Sequence, residues 1–461
     1  MMAAAAPNAT AADPGSNSAK AAAYVLRHRD AEVAGAVLDA AKMALVDWLA
    51  VCLGGRDTPE AAVLVRYLAA GPRRAGNAAL LTGGQADAQT AALINGTLSH
   101  CLDFDDTHIP TALHGSGPTW AAVLALGAEL GADEQALLRA FVCGFEIGAG
   151  FGSMGLGVRL NESGWHSTAV LGRIAAAMAA SSLLALDAAA IESALGLAAT
   201  QAGGLTSSFG TMAKPFHAGK AAADGLLAAQ LAAAGLRGAT TLLDVPKGLF
   251  GTIFQDRTVV PSFADPGDRS ELLLNSLKPY AACQLAHAPV DAALRLRERA
   301  GPDAIDTMVV TVNPLAIEIA GIEAPRTPTE GRFSTAYCMA LALHGYPVSP
   351  ADFVPARLAD PALIATARRV AMKPDASVAR TAARLDARLD TGETVSIAVE
   401  HAFGSAGNPL QWPQLEQKFA SLVEPVYGDA AAGLYDVLAN FEREGSMRRL
   451  SALLAMLAAV E

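Results

Sequence analysis

From about residue 30 to residue 254, apolar positions recur at helical spacing, interrupted by Gly, Pro and capping residues. Asp30 can cap a helix whose apolar face is Val33, Val37, Ala41, Leu45, Trp48 and Cys52, closed by Gly54-Gly55. Thr58-Pro59 reads as N-cap and first helical residue of the next helix, and Gly71-Pro72 as its stop. Further starts are signalled at Asp87, Gly117-Pro118, Asp133, Ser167 and Asp187. Ala-rich helices over 168–186 and 218–235 carry small residues on several faces, which suits a core where helix backbones approach closely.

The pattern changes near Glu271. Residues 307–313 (TMVVTVN) read as a strand, and 382–389 and 394–400 around Asp390-Thr391-Gly392 as a hairpin. Ser334 caps a helix through Leu343 and Asp360-Pro361 opens another; helical spacing returns over 415–422, 430–441 and 447–460. The expected fold is mainly α: a large multihelical domain over 20–268, completed by 405–461, with an inserted smaller α+β lid domain over 269–404.

Composition narrows the function classes. The 461 residues are 52% hydrophobic, 17% charged and only 5% aromatic, which excludes a disordered chain and favours packed helices. The net charge of −11 carries no basic stripe, so nucleic acid is not an expected partner. An anionic substrate must then be attracted by a few local cations. Five cysteines (52, 101, 143, 283 and 338) are scattered without a CxxC and read as reduced residues of a cytoplasmic protein. Residues 1–19 have neither a cationic start nor an apolar core and read as a disordered leader. The most apolar internal run, 174–186, is too short to span a bilayer, so no membrane association is expected.

No Walker A loop, GxSxG or zinc-type spacing is present, and Gly155-Leu156-Gly157 follows no strand. Instead, most of the nine histidines fall in four short segments with Lys, Asp and Thr. The first runs His100, Asp103, Asp105, Asp106, Thr107, His108, His114, Ser116 and lies between two helices. Loop hydrogen bonding is the bland reading of its acids and hydroxyls. The second is Gly164-Trp165-His166-Ser167-Thr168, where a histidine at a helix entrance can present a neutral imidazole. The third holds Lys214, Pro215, His217 and Lys220; the fourth, at the change of pattern, holds Lys278, Tyr280, Cys283, Gln284 and His287.

Taken in order, LDFDDTH with a later HxSG, GWHST, KPFHAG and KPY…C…H resemble the MmgE/PrpD family, as do Gly407-Asn408-Pro409-Leu410 and Leu415-Glu416 near the C-terminus. The resemblance spans nearly the whole chain from about residue 20. It implies the helical-plus-lid fold, a homodimer, no iron–sulphur cluster, no metal and no other cofactor. The family includes 2-methylcitrate dehydratase, cis-aconitate decarboxylase and iminodisuccinate epimerase, which all move a proton beside a carboxylate of a small di- or tricarboxylic acid. On that basis Asp103, Thr107, His114 and His166 are the catalytic candidates. Lys214, Lys278, His287, Cys283 and Gln284 are the substrate-binding candidates, the lysines as carboxylate clamps.

Several positions depart from the family pattern. Ala282-Cys283-Gln284 stands where many bacterial relatives carry CCR, so a guanidinium is replaced by a neutral amide; the decarboxylase branch has His at Cys283. The loop from Thr107 to His114 is one residue longer than in the decarboxylase, His114-Gly115 and His166-Ser167 replace His-Pro, and no tyrosine falls near Ala316-Ile317. The expectation is a cofactor-independent lyase of the hydratase/dehydratase type, with a dicarboxylate epimerase or a cis-aconitate-type decarboxylase as alternatives.

Overall fold

The computed structural model describes residues 15–33, 35–71, 75–153, 155–256, 261, 263 and 269–460. Residues 1–14, most of the expected leader, lie outside these, as do residues 264–268 at the expected domain boundary. The chain is mainly α and forms two units. One is Met1–Cys101, Asp105–Asn275 and Trp412–Glu461; the other is Leu102–Phe104 and Ser276–Gln411.

The first unit is helical: α1 (Asn17–His28), α2 (Gly35–Gly54), α3 (Pro59–Ala70), α4 (Ala88–Leu98), α5 (Ser116–Leu130), α6 (Glu134–Gly152), α7 (Leu156–Glu162), α8 (Ser167–Leu183), α9 (Ala188–Ala199) and α10 (Ala213–Ala233). Thr58, Asp87, Asp133 and Asp187 cap α3, α4, α6 and α9 as their side chains imply, each accepting from a backbone N–H three residues on. Three starts differ. Ser16 caps α1, so Asn17, Ser18 and Ala19 are helical and not leader. Asp30 is exposed, pairs with Arg29 at 3.3 Å and caps nothing. At α8 the N-cap is His166, and Ser167 is the first helical residue because its N–H donates to Asn161 Oδ1 at 3.0 Å.

The core of this unit is α8, which packs on α6 and α10, with α10 lying along α4. Small residues make that possible. A Cβ on Gly96 would stand 2.8 Å from Gly219 Cα, and one on Gly219 would stand 2.1 Å from Leu93 O and 2.2 Å from Thr97 Oγ1. A Cβ on Gly225 would meet Arg173 O at 2.5 Å, so α10 is also pressed against α8. Arg173 on α8 donates to Asp224 Oδ2 on α10 at 3.2 and 3.0 Å, and Lys220 pairs with the other oxygen. No single helix among the described residues is long and apolar enough to cross a membrane.

The second unit carries a four-stranded sheet in the order Val370–Pro374, Ile305–Val312, Ala383–Leu389, Thr394–Val399. The last three strands are antiparallel and include the expected hairpin. Val370–Pro374 joins Ile305–Val312 in parallel, a strand that a short run ending in proline gave no reason to expect. Helices His287–Arg297 and Thr335–Leu343 pack together beside it, the latter capped by Ser334. All five cysteines are buried and unbridged.

Gly219→Ala places a methyl group inside backbone contact distance and should cost about 3 kcal/mol or more in urea unfolding. A loss under about 0.5 kcal/mol would mean that α4 and α10 part easily.

Candidate active site

Three helices of the first unit begin around one cluster of histidines. His114 precedes α5, His166 is the N-cap of α8, and Lys214 lies in the first turn of α10. Helix N-termini carry partial positive charge, and Lys214 brings a cation to the same cluster. The loop from α4 to α5 is bent by Asp103 and Ala112, both at positive φ (50° and 53°). It is held by His114 N–H donating to Thr168 Oγ1 at 3.1 Å, which ties it to the first turn of α8.

Asp105 organises the cluster. Its Oδ2 accepts from His100 Nδ1 at 2.8 Å and stands 3.1 Å from His114 Nδ1. The His100 ring lies 4.5 Å from that of His114 and stacks at 5.7 Å on His166. His166 Nδ1 faces His217 Nδ1 at 3.1 Å, and Phe209 meets His166 edge-on at 5.0 Å. The Lys214 ammonium lies 5.5 Å from the Phe209 ring.

Burial sets the charge states. Burial by itself would push the Asp105 carboxyl up, but the imidazoles of His100 and His114 outweigh it and hold the group well below the usual carboxylate range. Burial pushes His100 down to about 4 against the pull of Asp105. It also drives His166 well below its ordinary value, helped by the neighbouring His100 ring and the Lys214 cation. His217 is lowered too, by burial and then by Arg173 and Lys214. Asp106 is raised to about 7 by burial, against hydrogen bonds from Ser116 and Asn275. Near neutral pH, His100, His166 and His217 are therefore neutral beside an ionised Asp105.

The expected residues fall in both units. His114, His166, Lys214 and Thr107 belong to the first, and Thr107 Oγ1 is buried without a hydrogen-bond partner. Asp103, Lys278, Cys283, Gln284 and His287 belong to the second. There Lys278 Nζ donates to the backbone oxygen and Oδ2 of Asp103 at 2.8 and 3.2 Å, a buried ion pair. His287 lies fully buried, its Nε2 donating to Ala282 O at 3.1 Å. The Cys283 N–H donates to Arg332 O at 2.9 Å, and neither amide atom of Gln284 has a hydrogen-bond partner. Sequence reasoning gave no role to His100, Asp105 or His217. The signal was their place in the motifs: His100 and Asp105 in the first polar segment and His217 in KPFHAG.

Ligand atoms of His100, Asp105 and His114 lie within 4.8 Å of one another, so a cation is a question to test. Two donors on one tetrahedral ion stand about 3.4 Å apart. The 2.8 Å from His100 to Asp105 is an N–H···O hydrogen-bond length instead.

The fold and this histidine-rich site define a protein class that sequence comparison identifies. The MmgE/PrpD N-terminal domain matches residues 19–262 and the MmgE/PrpD C-terminal domain residues 280–440, so the chain belongs to the MmgE/PrpD family. A cis-aconitate decarboxylase of Aspergillus terreus is 33% identical over 225 residues, 45% of each chain. The human cis-aconitate decarboxylase is 26% identical over 368 residues, 76% of each, and the mouse one 27% over 376 residues, 76% of this chain and 75% of its own. The match thus spans under half the length of the fungal relative and about three quarters of the mammalian ones.

His100 makes a pH prediction. Held at about 4 in the fold against 6.5 when free, it refuses a proton that the unfolded chain accepts between those values. Its contribution is complete above pH 6.5 and is lost as pH falls toward 4, roughly 2 kcal/mol by pH 5. His100→Asn, which still offers an N–H to Asp105, should flatten the fall of Tm with acidity in this window. An unchanged slope would show that His100 does not carry it.

Proposed function

We propose that the protein is a cofactor-independent lyase that moves a proton beside a carboxylate of a small carboxylic acid, with elimination of water as its reaction. The observation behind this is the set of buried, neutral imidazoles around ionised Asp105, next to Lys214 at converging helix N-termini. Lys214 and the helix ends draw a carboxylate to the cluster and stabilise the enolate-like charge that grows on it. His166, kept neutral, has a lone pair with which to take the α-proton. His114, with Nδ1 3.1 Å from Asp105 Oδ2 on the loop before α5, is the candidate donor to the leaving hydroxyl. Base and acid thus differ by environment, as elimination requires.

A cis-aconitate-type decarboxylation is the second reading, favoured by the names of the fungal and mammalian relatives. That reaction needs a proton donor to carbon but no base, so it uses half of this arrangement. Gln284 bears on the choice of substrate: a buried amide with no hydrogen-bond partner can take a neutral polar group, where an arginine would grip a further carboxylate.

Incubation with 2-methylcitrate, citrate and cis-aconitate in deuterated water, followed by NMR, separates the readings. Elimination should give an alkene with loss of water, and deuterium beside a carboxylate in recovered substrate. Release of carbon dioxide from cis-aconitate would establish the second reading, and no change in any acid would remove both. His114→Ala and His166→Ala should each lower turnover at least about 100-fold. Gln284→Arg should favour citrate-like tricarboxylates over the native substrate. Exhaustive chelation should leave turnover intact; loss of activity that a returned metal restores would assign a cation to His100, Asp105 and His114.

A further inference from the structure

While substrate fills the site, the proton that His166 takes has no direct way to water, because His166 is only 2% exposed. His217, on the second turn of α10, is half-buried and reaches solvent where His166 does not. Their contact runs from Nδ1 to Nδ1 at 3.1 Å. Two like nitrogens hydrogen-bond only if one carries the proton and the other a lone pair, so the two neutral rings hold complementary tautomers. Either assignment satisfies the same contact. This distinguishes it from an imidazole–carboxylate pair such as His100–Asp105, where the acceptor is fixed.

We propose that His217 is the proton port of the site, setting the tautomer of His166 and exchanging its proton with water. This rests on His166 being the acid/base group. In the forward step the substrate C–H bond breaks and its proton joins His166 Nε2, while the electron pair stays with the carbon acid. His166 Nδ1–H then passes to His217 Nδ1, and His217 Nε2–H goes to water. The pair is left in its mirror tautomers. It resets when His217 Nε2 takes a proton from water, returns its Nδ1 proton to His166, and His166 Nε2 releases one to water in the vacated site. Protons balance over the cycle once His114, which gave its proton to the leaving hydroxyl, takes back the one that His166 releases, and no other reactant is needed. Lys214 on the same helix, Arg173 on α8 and His100 from the loop after α4 all face this pair, and none offers a negative charge. A proton therefore does not linger on it, as a relay requires.

The test uses the full-length protein labelled with ¹⁵N-histidine. In the wild type, His166 should give ring nitrogen shifts averaged between two tautomers, with fast exchange of its ring N–H with water. His217→Phe should lock one tautomer and slow that exchange at least tenfold. His217→Asn, which keeps a hydrogen bond at the same place but cannot relay, should slow it likewise and guards against misfolding of the Phe variant. Unchanged shifts, and exchange within twofold in the folded variants, would overturn the proposal whatever the enzyme's substrate. With an acid that the wild type turns over, His217→Asn should lower kcat at least tenfold with KM within twofold, and added imidazole should restore part of it. Absence of any turnover would fail the lyase reading and leave the NMR result to decide the port.

Discussion

One carboxylate oxygen supports the rest of the candidate site. Asp105 Oδ2 takes His100 at 2.8 Å and lies 3.1 Å from His114. A carboxylate buried this deeply survives as an anion only if donors surround it. Here the donors are imidazoles, which are tolerable in the interior because they can be neutral. The arrangement places two rings beside one charge, with His166 stacked on His100 and, among the described residues, hydrogen-bonded to His217 rather than to a carboxylate.

Placing that cluster depends on packing. Helices can bring their first turns to one spot only if their bodies lie unusually close, and glycine at 96, 219 and 225 permits this. At the close approach beside Gly225, the Arg173–Asp224–Lys220 group braces α8 against α10. The Ala- and Gly-rich composition is thus tied to the candidate site through distance: each methyl group omitted lets the helices that carry it lie closer.

In the second unit, the same logic of compensated burial recurs with different groups. Lys278 is almost wholly buried and answers to Asp103, and Tyr280 donates to Asp291 at 2.6 Å while Asp291 accepts from Phe403 N–H at 2.7 Å. Burial and the Asp291 anion drive the Tyr280 hydroxyl well above its ordinary range, so it acts as a donor and not as a base. Gln284 stands apart as a buried amide with neither atom hydrogen-bonded.

Local chemistry in the sequence determined the mainly helical fold, most caps and the hairpin, because apolar spacing and capping residues act over a few neighbours. It also marked His166 by its place at a helix entrance, and the family, with His114 and Lys214 among its candidate residues, by four ordered motifs. The start of α8 escaped it, since a serine looks like a cap until Asn161 claims its N–H. The strand Val370–Pro374 escaped it because its partner lies about sixty residues earlier. Tertiary structure alone decided that Asp105 serves two histidines, that His217 faces His166 across fifty residues, and that Asp103 and Lys278 neutralise each other. Those are contacts at distances of ångströms between residues far apart in the chain. Charge state follows from burial and from such neighbours, and neither is written in the order of residues.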